Sequence, residues 1–140
     1  MNSFDRMLLE NAFKNFKEEK RRNLEAAIKE KIKNSAGILE EIYGCEIKIE
    51  NNYSDYDIFN NYLVPKIKEK EILFEETNRI SKLKGYISKI VDEEYTKKPN
   101  FWLEVNSISF DLINEIKKGT NNQKIYQNFI GSLVERLLRL

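Results

Sequence analysis

The chain has 140 residues, 34% of them charged and 41% hydrophobic, and its 24 Lys and Arg nearly balance 23 Asp and Glu, for a net charge of +1. That length supports one domain, 1–140, with a core of its own. The balanced total excludes a strongly basic nucleic-acid binder and a polyacidic tail.

Histidine is absent. Ser-His-Asp and Cys-His nucleophilic sites need an imidazole to take a proton near neutral pH. Most catalytic zinc sites and the Glu-x-x-His pairs of di-iron bundles need it as a ligand. None of these fits within one such chain. Cys45 has no cysteine to pair with, which points to a reducing compartment. The opening MNSFDRMLLENAFKNFKEEK is charged from Asp5 and lacks the sustained apolar region of a signal peptide. No stretch approaches the roughly 18 apolar residues of a membrane span. A cytoplasmic protein without a membrane partner is expected.

The first predicted element is the longest. Ser3 is positioned as an N-cap, and apolar residues follow at Phe4, Met7, Leu8, Phe13 and Phe16. Lys17 to Asn23 is then entirely polar. The pattern resumes at Leu24, Ala27, Ile28, Ile32, Ser35, Leu39 and Ile42, close to a heptad seam, and Gly44 supplies a stop. A helix over 4–43 would run roughly 60 Å, against a radius of gyration of about 14 Å for a compact chain of this length. It must protrude, or break near Lys20–Asn23 or near Ser35-Ala36-Gly37. Nothing between 17 and 23 breaks a helix, so residues 1–22 are expected to protrude.

Cys45 to Glu50 alternates, with Cys45, Ile47 and Ile49 on one face. That predicts a short strand, and Phe101 to Val105 is its best partner. Asn51 to Asp55 is a turn by composition. Ser54 with Asp57 reads as a helix start, and Ile58, Phe59, Tyr62 and Leu63 as a short helix that Pro65 ends or kinks. A second long helix is predicted from Ile67 to Tyr95, its seam carried by Leu73, Ile80, Leu83, Ile87 and Ile90, with Phe74 and Val91 widening it. Trp102, Val105, Ile108, Leu112, Ile113 and Ile116 fit a helix ending at Lys117-Lys118-Gly119. Thr120 to Gln123 reads as a capping box for a last helix carrying Ile125, Phe129, Ile130, Leu133, Val134, Leu137 and Leu138. The expected fold is therefore mainly α: an elongated helical bundle with a long N-terminal helical hairpin, two further helices and at most one small two-stranded β element.

Chemistry-bearing groupings are weak. Asp55-x-Asp57 has the oxygen donors of a Mg²⁺ or Ca²⁺ site, but it also reads fully as a turn and a cap. Glu46-Ile47-Lys48 matches half of a metal-nuclease motif and lacks the supporting acid. The glycines are scattered and none opens a phosphate-binding helix. No catalytic residue, metal, cofactor or small-molecule substrate is indicated.

What remains is surface. Phe4, Phe13 and Phe16 precede the polar gap and are hard to bury, so they are the expected partner-binding residues, for another protein or a second copy. Residues 14–33 carry eight basic against four acidic side chains, while 40–57 carry six acidic against Lys48. The function expected is that of a non-enzymatic interaction protein, an adaptor or inhibitor of the accessory kind found in phage, plasmid or defence systems, forming homo-oligomers. The alternative is a nucleic-acid-associated protein that tracks phosphates with Lys14, Lys17, Lys20, Arg21, Arg22 and Lys29. Glu–Lys pairing along a solvated helix, such as Glu25 with Lys29, is the bland reading of the same charges.

Overall fold

The computed structural model describes residues 2–50, 52–69 and 75–140 and is mainly helical, with no strand among them. Helix α1 (Ser3–Lys33) runs unbroken through the polar gap at Lys20–Asn23. Its N-cap is Asn2 rather than Ser3: the Asn2 Oδ1 accepts from the Asp5 N–H at 2.8 Å. The break in the first predicted rod falls at Asn34 and Ser35, and α2 (Ala36–Tyr43) follows. Ser35 is fully buried. Its Oγ donates to the Ile32 carbonyl at 2.6 Å and lies 3.0 Å from the Tyr86 hydroxyl. Since the single Ser35 proton goes to Ile32, Tyr86 donates to Ser35. The bend is thus tied by hydrogen bonds to α5 (Glu75–Lys89). Gly44 closes α2 in the left-handed region, φ 64°, with its N–H on the Glu40 carbonyl, where a Cβ would be strained.

The expected strand is not formed. The Ile47 N–H donates to the Glu40 carboxylate at 2.9 Å, and the Tyr62 hydroxyl donates to the Lys48 carbonyl. Side chains therefore satisfy backbone groups that a strand would offer to a neighbour. Its predicted partner, Phe101–Val105, is the first turn and a half of helix α7 (Phe101–Lys117). Of the three residues that alternation put on one face, Ile47 is buried and Cys45 half-buried, but Ile49 is exposed.

Ser54 and Asp57 form the anticipated capping box at α3 (Asp55–Ile58). Pro65 does not end the helix. The chain widens through a π turn at Phe59–Leu63, where the Val64 N–H reaches the Phe59 carbonyl, and continues as α4 (Val64–Lys68). An extra residue in the turn relieves the clash between the proline ring and the carbonyl four residues back.

The second long helix is shorter than its pattern suggested. α5 covers Glu75–Lys89, α6 is the short Glu93–Thr96, and Leu73 and Phe74 lie outside the described residues. The long hairpin is not seen along its length: α2, the end of the first stretch, packs on α5, but the C-terminal part of α1 packs on α3 and on α8 (Asn122–Arg139), and α5 also packs on α7. Helix α7 is the hub, touching α4, α5 and α8. The core joins Leu24, Ile28 and Ile32 of α1 to Phe59, Tyr86, Phe101, Val105, Phe129 and Leu133. Phe59 stacks on Phe129 at 5.6 Å and meets Tyr126 edge-on at 5.1 Å.

Helix α7 ends as its sequence implied. Gly119 has φ 76°, its N–H bonds the Ile116 carbonyl, and the Thr120 N–H bonds that of Glu115. The cap of α8 is Asn121, one residue past Thr120, with its Oδ1 accepting from Gln123 and Lys124. No described helix is long and apolar enough to cross a membrane.

Candidate functional site

Every described residue from Asn2 to Asn23 is exposed; the first buried side chain of α1 is Leu24. This arm is some 20 residues long, hence roughly 30 Å. It carries six large apolar side chains, Phe4, Met7, Leu8, Leu9, Phe13 and Phe16, each between 53% and 63% exposed. Its helical conformation has local causes: an N-cap at Asn2, Asp5 in the first turn, and no Gly or Pro before Gly37.

Phe4, Phe13 and Phe16 all lie on this arm, together with Met7, Leu8 and Leu9. Phe13 also receives the Lys17 ammonium over its ring, at 4.5 Å. Successive helical residues turn by about 100°, which places Leu8 and Ala12 side by side, with Phe4 and Phe16 flanking them. Leu24, Ile28 and Ile32, which fix α1 to the body, lie roughly 160° round the helix from that face. The arm is therefore no frayed continuation of the core seam. Its apolar side turns away from the surface by which the same helix grips the rest of the chain.

The cations divide differently. Arg6, Lys14, Lys17 and Arg21 share the side opposite Leu8 and Ala12, whereas Lys20 and Arg22 do not. Among the described residues Lys29 pairs with Glu25 at 3.2 Å, while Lys14, Lys17, Lys20, Arg21 and Arg22 form no ion pair. Charge lacing of the solvated helix is thus confined to its root. The acidic stretch at 40–57 is partly consumed internally, Glu40 by the Ile47 N–H and Asp57 by the cap. Backbone and hydroxyl hydrogen bonds from Ser54 hold the Asp57 carboxyl below its usual range. No group of three acidic or cysteine side chains able to hold a metal ion occurs among the described residues, and Cys45 is half-buried.

A second apolar surface was not singled out from sequence. Trp102 and Phe110 are 48% and 44% exposed on α7, and with Ile80, Lys84 and Asn106 they line a shallow hollow against α5. The signal was present: Trp102, Asn106 and Phe110 are spaced by four. The reading of Trp102 as a core position masked it, because Phe101 takes that place, fully buried. Comparison with protein-family models, with curated proteins and with solved structures yields no match.

Proposed function

We propose that this is a non-enzymatic interaction protein, an adaptor or inhibitor whose α1 arm docks on a macromolecule through Phe4, Leu8, Leu9 and Phe16; Phe13 lies beside Lys17, off that face. The observation that supports this is the exposure of six large apolar side chains on one projecting helical arm. Burying a Leu or Phe side chain is worth about 1.5–3 kcal/mol, so leaving six of them in water is a standing cost that an occupant removes. Apolar anchors repeating at three and four residues are what a helix laid in a groove, or against another helix, uses. An accessory role in a phage, plasmid or defence system is part of the reading, on the grounds of small size and the absence of any catalytic grouping in the sequence.

The test is a photo-reactive side chain at position 16 of the full chain in its source cell. One discrete adduct, of protein or of nucleic acid, is expected, and its loss in the Leu8→Glu variant. No adduct at any position from 4 to 16 would overturn the reading. The second reading, phosphate binding, is favoured by the cations Lys14, Lys17, Lys20, Arg21 and Arg22 of the arm, which form no ion pair among the described residues. It requires that binding to a DNA or RNA duplex fall steeply with salt, since each phosphate contact releases counterions.

A further inference from the structure

We propose that the occupant of the arm is the arm of a second copy, lying antiparallel across a two-fold axis level with Glu10. The inference rests on the reading of the arm as a docking element and adds its partner and register.

The carrying observation is a symmetry in the sequence of the exposed segment. Its apolar residues are Phe4, Met7, Leu8, Leu9, Ala12, Phe13 and Phe16. Counted from position 10, Phe4 mirrors Phe16, Met7 mirrors Phe13 and Leu8 mirrors Ala12; Leu9 alone faces a polar residue, Asn11. An isologous contact needs a patch complementary to itself under a two-fold rotation, and an antiparallel helix pair produces that reversal. Leu8 of one copy then sits level with Ala12 of the other, large against small, which lets the helices approach closely. Phe4 is level with Phe16 at each end.

Charge and area agree with this arrangement. Arg6, Glu10, Lys14, Lys17 and Arg21 point away from the Leu8–Ala12 face, so they stay in water when it is covered. Residues 13–23 hold five cations against Glu18 and Glu19, while 2–12 hold Asp5 and Glu10 against Arg6. Antiparallel pairing sets the basic half of one arm beside the slightly acidic half of the other; parallel pairing would set basic against basic. The exposed apolar side chains offer on the order of 1,000 Å² across two copies, the lower bound for a specific interface. The bodies do not intrude. Each body begins at Leu24, 14 residues from the axis and beyond the paired face of Phe4 to Phe16.

The full chain carrying Cys45→Ser supplies the test. Asn11→Cys places two thiols on one side of the pair and about two residues apart along the axis, whereas Ser3→Cys places them some 14 residues apart. Light scattering at tens of micromolar should give twice the chain mass. Mild oxidation should cross-link the Asn11→Cys protein and spare the Ser3→Cys protein, and Ala12→Glu should give a monomer with unchanged thermal unfolding of the body. A monomer before any substitution, cross-linking through position 3 in preference to 11, or a dimer that survives Ala12→Glu would each overturn the proposal. A monomer that still forms an adduct with another macromolecule from position 16 removes the second copy alone. A monomer with no adduct removes the docking reading as well.

Discussion

Two buried phenols have opposite hydrogen-bond situations, and their substitution should separate cleanly. Tyr86 is fully buried and donates to Ser35; burial pushes its phenol well above the ordinary range, against the opposing pull of Ser35. Ser35→Ala leaves that hydroxyl without an acceptor in the core, so it should cost about 1–3 kcal/mol of unfolding free energy. Ser35→Ala with Tyr86→Phe should cost less than Ser35→Ala alone, because the orphaned group is gone. The Tyr126 hydroxyl has no partner among the described residues, so Tyr126→Phe should be neutral or stabilising in the same urea titrations. Acid should act through different residues. Ser54 holds Asp57 below its usual range, and Lys117 does the same for Glu76. A carboxylate whose pKa is lowered by folding stabilises the fold above its unfolded value, and that stability is lost as pH falls through the folded one. Unfolding midpoints should therefore drop below about pH 4, and Asp57→Asn should show a smaller drop than the parent. Glu76 is exposed and Asp57 only partly covered, so each contribution is small.

Helix α1 divides into two halves with separable roles, although it is one element. Ile28 and Ile32 are buried, so Ile28→Ala should cost about 2–5 kcal/mol. Phe4→Ser, Leu8→Ser or Phe16→Ser removes nothing from the core, so the body should unfold at an unchanged urea midpoint while association is lost. An equal stability loss from both sets would mean that the arm folds back on the body. The division was partly legible in the sequence, since the polar gap at 17–23 marks where the arm meets the body and nothing there breaks the helix. The reversal of the apolar face was available from the same spacing, but only the contacts of Leu24, Ile28 and Ile32 say which face grips the body. The absence of a strand at Cys45–Glu50 was not legible, because alternation cannot reveal that Glu40 and Tyr62 satisfy its backbone. The full hairpin was not legible for a related reason. Periodicity finds faces and not neighbours: the bend at Ser35 leaves α2 on α5, while α1 spends its face on α3 and α8. Pro65 reads in sequence as an end or a kink because a proline removes one hydrogen bond, whereas here the helix runs on through a π turn.

At the scale of the whole molecule, the docking and phosphate readings predict opposite responses to salt and different shapes. The two bodies of the proposed pair are attached through the outward faces of their arms, beginning at Leu24. With the axis at Glu10, those attachment points lie 28 residues apart along the paired helices, roughly 40 Å. Small-angle scattering of the dimer should therefore give two separated masses and a long maximum dimension, with the monomeric Ala12→Glu protein markedly shorter. Raising salt should leave this dimer intact or tighten it, because burial of Phe4, Leu8, Leu9 and Phe16 supplies its stability and the cations already face water. The same outward stripes of Arg6, Lys14, Lys17 and Arg21 would be duplicated on opposite sides of the pair. If a nucleic acid binds there, its affinity falls with salt while the dimer mass does not. A particle that loses both mass and affinity together as salt rises would mean that phosphate, rather than the apolar face, holds the copies together.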